Sequence, residues 1–255
     1  MRHVPRLFVN MPLSERALIT LPDGQAHYLA RVMRLGGGDL ARVFNGVDGE
    51  WQAELALDGR KVMAQMKTCL RPQPEGAGAG PQLLFAPLKK TRTDFAVEKA
   101  TELGVSKILP VTTVCTQTRR VKSDRLQALA IEAAEQTERM DVPEIAEMKS
   151  LDKALAQWPQ GAPLVFCDEA GDDEAAIWGG ADGRAETMAQ ALEGRDGAGG
   201  GILIGPEGGF SVEEREHLRS LDFVVPVTLG PRILRAETAI VASLTIWQAV
   251  LGDWQ

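Results

Sequence analysis

Apolar residues recur along this chain in two rhythms. Up to residue 70 they come in short runs at 7–9, 40–44, 51–57 and 61–70, broken by Asn45-Gly46, Asp48-Gly49 and Asp58-Gly59. Short runs between such turn dipeptides predict strands joined by tight hairpins. One stretch differs, because Tyr28, Leu29, Val32 and Met33 have helical spacing within 25–34 and Gly36-Gly37-Gly38-Asp39 then stops the helix. The pattern is that of a small β-barrel with one helix. From 72 to 81 the chain reads PQPEGAGAGP, a flexible linker that cannot continue a strand. The second rhythm follows: strand-like runs at 83–86, 108–111 and 164–167 alternate with helical patterns at 93–103 and 124–139, and Ser150 caps a short helix to about 158. Such alternation predicts a parallel sheet with crossover helices. The domains are therefore expected at 1–71 and 82–255, with 72–81 between them. Segment 172–200, acidic and rich in Gly and Ala, reads as a surface insertion with one helix at 185–192.

The stretch 201–248 organises the second domain. Ile202, Leu203 and Ile204 form a buried strand that ends at Gly205-Pro206-Glu207-Gly208-Gly209, and Ser211 with Glu214 is a capping box that opens a helix over 212–221. A second run, 223–227, ends at Leu229-Gly230-Pro231. The two loops are expected to leave neighbouring parallel strands at the sheet edge where α/β proteins bind ligands. Arg232-Ile233-Leu234-Arg235-Ala236-Glu237-Thr238 follows, just before an apolar helix. Arginines there sit against the positive end of the helix dipole, which points them toward an anionic group.

Charge and composition refine this picture. The chain has 255 residues, of which 44% are hydrophobic and 25% charged, enough for two modest domains. Its net charge of −7 is uneven: residues 1–125 hold 19 Lys and Arg against 12 Asp and Glu, whereas residues 126–255 hold 9 against 23. A basic first half suits a phosphate-facing surface. Lys89, Lys90 and Arg92 follow one strand and Arg119 and Arg120 the next, so a parallel sheet gathers them at the loop edge. Cys69, Cys115 and Cys167 are odd in number and far apart, which argues for a reducing compartment and against a disulfide frame. His3, His27 and His217 are isolated, so no metal is expected. The apolar run 240–251 is too short to span a bilayer, and a cytoplasmic protein without membrane contact is expected.

The pair GPEGGFSVEE and LGPRILRAETA, in that order and about twenty residues apart, resembles the SPOUT methyltransferases. Within them it is similar to the bacterial enzymes that methylate N3 of a uridine in small-subunit (16S) ribosomal RNA. The resemblance extends to MRHVPRLFV at the start, to KATELGV at 99–105 and to AAEQTER at 133–139. It implies an α/β fold: a C-terminal SPOUT trefoil-knot domain with a parallel sheet, preceded by a PUA-like RNA-binding β-barrel. It also implies a homodimer acting on ribosomal RNA or the small subunit. Its loops imply a site for S-adenosylmethionine formed by Leu203, Ile204, Gly205, Pro206, Glu207, Gly208, Leu229, Gly230, Ile233, Leu234, Arg235 and Thr238. The RNA contacts expected are Arg2, Arg6, His27, Arg31 and Arg34 in the first domain, with Lys89, Lys90, Arg92, Arg119, Arg120 and Arg139 in the second.

The chemistry narrows the roles without choosing among them. Uridine N3–H is weakly acidic, so either a general base or cationic donors to O2 and O4 must assist its loss, worth on the order of 10²–10⁴-fold. Arg232 and Arg235 are the candidate donors; Glu102, Glu135 and Glu237 are the candidate bases. Three alternatives stay open: a related enzyme acting on another position such as ribose 2′-O, a phosphate-binding enzyme using the Ser211 helix N-terminus, and a non-catalytic RNA-binding protein. The second lacks a Gly-Lys-Ser/Thr after its loop, and the third leaves the ILRAET element without a role.

Overall fold

Turn dipeptides and period-two alternation give the strands they predict in the first unit. The computed structural model describes residues 4–59, 61–168 and 185–254. β1 (Arg6–Phe8), β2 (Leu18–Thr20), β3 (Leu40–Phe44), β4 (Glu50–Asp58) and β5 (Lys61–Arg71) form one sheet in the order β1-β3-β4-β5-β2. β1 is parallel to β3 and the other ladders are antiparallel. β2 has one inward apolar residue, Ile19, too little for an alternation to announce it. The turn before β4 is built by Asn45, whose Oδ1 accepts from the N–H of Val47 and Asp48 at 3.0 and 2.8 Å. Gly49 follows with φ +84°, a conformation that side chains resist. The expected helix is α1 (Asp23–His27), which widens into a π-helical turn over Tyr28–Val32. Leu29 enters a core with Leu7, Val43, Ala53, Leu55 and Met66.

This unit contains the chain up to Ala77 together with Ala134–Val142, a return that the composition of 72–81 does not announce. Arg6 shows why the return is stable. It is 6% exposed, stacks 3.8 Å from the centre of the Phe44 ring, and donates to Glu50 at 2.6 Å and to the carbonyls of Ala134 and Arg139 at 2.7 Å each. Arg42 and Arg71 also pair with Glu50, at 3.3 and 2.6 Å. Burial alone would raise the Glu50 pKa, but the hydrogen bonds from Arg71 and Arg6 outweigh it and hold the carboxyl below its ordinary value.

The second unit comprises Gly78–Ala133 and Pro143–Gln255. β6 (Gln82–Phe85), β7 (Lys107–Thr112), β8 (Glu144–Ile145), β10 (Leu164–Cys167), β11 (Gly201–Ile204) and β12 (Val224–Val227) lie in the order β12-β10-β11-β6-β7-β8, with β9 (Lys149–Ser150) also paired to β7. Every ladder is parallel. β10 and β11 are buried at every position, the run expected of strands covered on both faces. The described helices are α2 (Lys90–Glu102), α3 (Ser123–Gln136), α4 (Leu151–Ala156), α5 (Met188–Leu192), α6 (Val212–Arg219) and α7 (Ala236–Val250). α4 starts at Ser150, whose Oγ accepts from the Lys153 N–H, and α6 carries the expected capping box between Ser211 and Glu214.

Two expectations change. β11 and β12 are not neighbours, because β10 lies between them; crossovers through helices let a strand from earlier in the chain enter the gap. The loops after β11 and β12 therefore flank a third, the one after β10. The helix expected at 185–192 is confined to α5, and of the insertion 172–200 the stretch 172–184 lies outside the described residues. Ile240, Leu244 and Trp247 of α7 are 0%, 0% and 2% exposed within the single chain. The end of α7 is anchored by Gln248, whose Nε2 donates to the Leu103 carbonyl at 2.7 Å.

Candidate functional site

Three strands deliver the site. β10, β11 and β12 run parallel, so the loops that leave them meet at one sheet edge. The loop after β11, 205–209, is held by Phe210. That ring is buried against Phe166 at 5.1 Å in an edge-to-face contact, and a Cβ on Gly205 would stand 2.6 Å from it. Glu214 fastens the far side, taking the Ser211 N–H at 2.9 Å and the Val114 N–H at 2.8 Å. The loop after β12 turns at Gly230, with φ +112°, and runs to Arg235, the N-cap of α7. The Arg235 side chain makes no capping hydrogen bond to α7. The loop after β10 contributes Asp168, which is 4% exposed and takes Arg215 and Arg219 at 2.8 Å each, tying β10 to α6.

These loops enclose a cavity of about 250 Å³. Of the residues expected to hold a cofactor, Ile204, Gly205, Pro206, Glu207, Leu229, Gly230, Ile233, Leu234 and Arg235 line it, as does Arg232. Three others do not. Leu203 is fully buried in the sheet core, a Cβ on Gly208 would meet Cys115 at 3.2 Å, and Thr238 is exposed on the next helical turn beside lining residues Ala236 and Ala239. Cys167, Asp168, Val227 and Thr228 also line the cavity. A reading of the two Gly-rich loops misses Cys167 and Asp168 because β10 lies well upstream in sequence, and misses Val227 and Thr228 because they precede the glycine of their loop. The lining combines apolar side chains with loop backbone, the composition of a small-molecule site.

The candidate acid–base residues separate. Glu102 sits at the end of α2, whose start follows β6, so it lies toward the opposite sheet edge. It accepts from Lys99 at 2.6 Å, and that hydrogen bond, with a second that Lys99 donates to Glu98, raises the Lys99 pKa. Glu135 belongs to the first unit, where it accepts the Phe8 N–H at 2.8 Å. Both therefore hold hydrogen-bond partners away from the residues that line the cavity. Glu237 stands in the first turn of α7, 3.7 Å from Arg92. Arg232 and Arg235 are exposed and, among the described residues, make no ion pair.

The candidate phosphate contacts divide by burial. Arg6 is corrected to a core residue by its ion pair with Glu50, and Arg139 is held by Asp141 at 2.7 Å with a side chain 10% exposed. Arg92 is engaged by Glu207 at 3.2 Å and by Glu237. His27, Arg31 and Arg34 are exposed along and after the π-helical turn. Lys89, Lys90, Arg119 and Arg120 are exposed where the chain leaves β6 and β7, at the edge that bears the cavity. Arg2 lies outside the described residues.

Comparison with known proteins agrees with this layout. Residues 81–248 match a family model described as an RNA methyltransferase domain, and residues 21–62 match one described as an RNA methyltransferase PUA domain. The ribosomal RNA small subunit methyltransferase E of Rickettsia conorii is 32% identical over 242 residues, covering 94% of this chain and 93% of its own. That of Synechocystis is 31% identical over 239 residues, covering 92% and 74%. The crystal structure of a ribosomal RNA small subunit methyltransferase E from Neisseria gonorrhoeae bound to S-adenosyl methionine superposes with TM-score 0.81 at 27% identity, covering 99% of this chain and 100% of its own.

Proposed function

This chain belongs to the RNA methyltransferase family, with a PUA domain ahead of a SPOUT α/β domain, and from that premise we propose that it transfers a methyl group from S-adenosylmethionine to N3 of a uridine in small-subunit ribosomal RNA. The observation that carries the reading is one cavity at the carboxyl edge of a parallel sheet, lined by apolar side chains, loop backbone and the arginines 232 and 235. Relatives named as small-subunit ribosomal RNA methyltransferases, one of them bound to S-adenosyl methionine, support the substrate and the cofactor.

The cavity fits such a cofactor in kind. Ile204, Val227, Leu229 and Leu234 give apolar surface for a planar base, and the backbone of 205–207 and 228–235 gives donors and acceptors for its polar edges. When bound, S-adenosylmethionine supplies an electrophilic methyl on a positively charged sulfur. The chain then has to hold uracil N3 in line with that methyl, a positioning task that can contribute up to roughly 7–11 kcal/mol. N3 must also lose its proton. Glu102 and Glu135 are engaged elsewhere, Glu237 is paired with Arg92, and Asp168 is taken by Arg215 and Arg219. This favours stabilisation over general-base catalysis: Arg232 and Arg235 would donate to uracil O2 and O4, the N3 proton would leave to water, and the nitrogen lone pair would take the methyl as its bond to sulfur breaks and the neutral thioether leaves.

Lys89, Lys90, Arg119 and Arg120 are the phosphate contacts of the α/β domain, and His27, Arg31 and Arg34 are those of the PUA domain. The same reading pairs two copies through the α/β domain. Val114 and Ile233 on its loops and Val212 at the start of α6, which are 70%, 84% and 59% exposed, provide apolar surface. Sedimentation at micromolar concentration checks this, and a monomer removes it. For the reaction, small subunits from a strain lacking the gene are incubated with the protein and labelled S-adenosylmethionine, and the methyl is mapped by mass. A methyl on a uracil ring supports the reading, a methyl on ribose moves it to 2′-O, and no transfer sinks it.

A further inference from the structure

One guanidinium ties together two carboxylates from different loops of the cavity. Arg92 Nη1 lies 3.2 Å from Glu207 Oε1, and Arg92 Nε lies 3.7 Å from Glu237 Oε1. Glu207 lines the cavity in the loop after β11, and Glu237 stands in the first turn of α7 beside the lining residue Ala236. Arg92 itself belongs to the first turn of α2 and does not line the cavity. Its neighbours Lys89 and Lys90 extend into solvent, whereas the Arg92 side chain is 37% exposed between Glu207 at 34% and Glu237 at 16%. Glu237 Oε2 is buried and has no hydrogen-bond partner, so Arg92 is the cation on which that carboxylate depends among the described residues.

On the methyl-transfer reading, on which this inference rests, we propose that Arg92 is a positioning residue for the cofactor cavity rather than an RNA contact. It holds the loop 205–209 against the start of α7 and so fixes the separation of two walls of the cavity. Without it two carboxylates face each other with no counter-charge, and their repulsion drives the walls apart. A lysine cannot replace it fully, because Nη1 and Nε address different carboxylates and an ammonium is a single point charge.

The test is titration calorimetry of S-adenosylmethionine into the full-length protein and its Arg92→Met, Arg92→Lys, Glu207→Gln and Arg92→Met/Glu207→Gln variants, with RNA affinity and thermal midpoint measured beside it. Arg92→Met should weaken cofactor binding about tenfold, the size of a typical coupling between contacting charges. Arg92→Lys should fall between, and the double variant should bind no worse than Arg92→Met, because removing the Glu207 charge relieves the repulsion. The defect should shrink as salt is raised. A wild-type chain that binds no S-adenosylmethionine overturns the methyl-transfer reading and this inference with it. If the wild type binds and Arg92→Met binds equally well while losing RNA affinity, the inference alone is wrong and Arg92 is a phosphate contact. Glu207→Gln, a half-exposed change, keeps the test decisive if Arg92→Met folds poorly: cofactor affinity equal to wild type in both Glu207→Gln and Arg92→Lys rejects the clamp.

Discussion

Gly205 and Phe210 occupy one volume: a Cβ at position 205 would stand 2.6 Å from Cε2 of the Phe210 ring. The first loop thus needs glycine for packing, and Phe210 in turn is wedged edge-on against Phe166 under the cavity. Gly205→Val should displace the ring, cost about 1–3 kcal/mol of stability by overpacking, and weaken S-adenosylmethionine binding, since residues 204–207 line the cavity. Gly208→Val meets only Cys115, at 3.2 Å, and should be milder on binding. Thermal melts and calorimetry on the two variants check the order; equal losses would show that the loop moves as one piece.

Arg235 should act in the reaction more than in cofactor binding. It lines the cavity, is exposed, and stands at the N-cap position of α7 where the dipole is positive, so nothing local explains a cation there. Arg235→Lys and Arg235→Ala should lower single-turnover methylation by about 10²-fold or more with cofactor affinity held. Normal rates in both variants would make Arg235 a surface residue.

Acid should loosen the PUA domain through Glu50. Its pKa is depressed in the fold, so its contribution is present above the unfolded value, near 4.5, and is lost as pH falls through the folded value. Glu138, held low by its hydrogen bond to Arg42, adds in the same direction. Denaturant midpoints should therefore drop below about pH 4.5. Glu50→Gln should flatten that slope and cost about 3–5 kcal/mol at pH 7, because it leaves Arg6 buried without its anion. A variant with the wild-type pH profile would show that Glu50 does not govern acid stability.

What could be read from the sequence follows the range of each signal. Local signals held: the turns at Asn45-Gly46 and Asp58-Gly59, the capping box at Ser211 and the glycine at 230 are set by residues within a few positions of one another. Long-range pairing did not show. Nothing near 164–167 says that this strand enters between 201–204 and 224–227, so Cys167 and Asp168 were missed as lining residues. Arginines were the least legible class. Arg6 and Arg92 look like their basic neighbours in one dimension, and only the fold reveals the carboxylates opposite them at residues 50 and 207, whereas the partner of Arg139, Asp141, is two residues away.

That distinction gives a direct comparison within the PUA domain. Arg31 and Arg34 are exposed, on and just after a π-helical turn, and engage no carboxylate among the described residues; Arg6 is 6% exposed and fully engaged. If Arg31 and Arg34 hold RNA phosphates, Arg31→Ala and Arg34→Ala should each weaken RNA binding with little sequence preference and lower the salt slope of affinity by about 1, at unchanged thermal midpoint. Surface substitutions of this kind rarely shift stability by more than about 0.5 kcal/mol. Arg6→Ala should do the reverse, lowering the melting temperature because it empties a buried site and takes from Glu50 one of its three cations, with any loss of RNA affinity following from unfolding. RNA binding measured across a salt series, beside melts of the three variants, separates the cases. Unchanged salt slopes for Arg31→Ala and Arg34→Ala would move the RNA surface of this domain away from its helix.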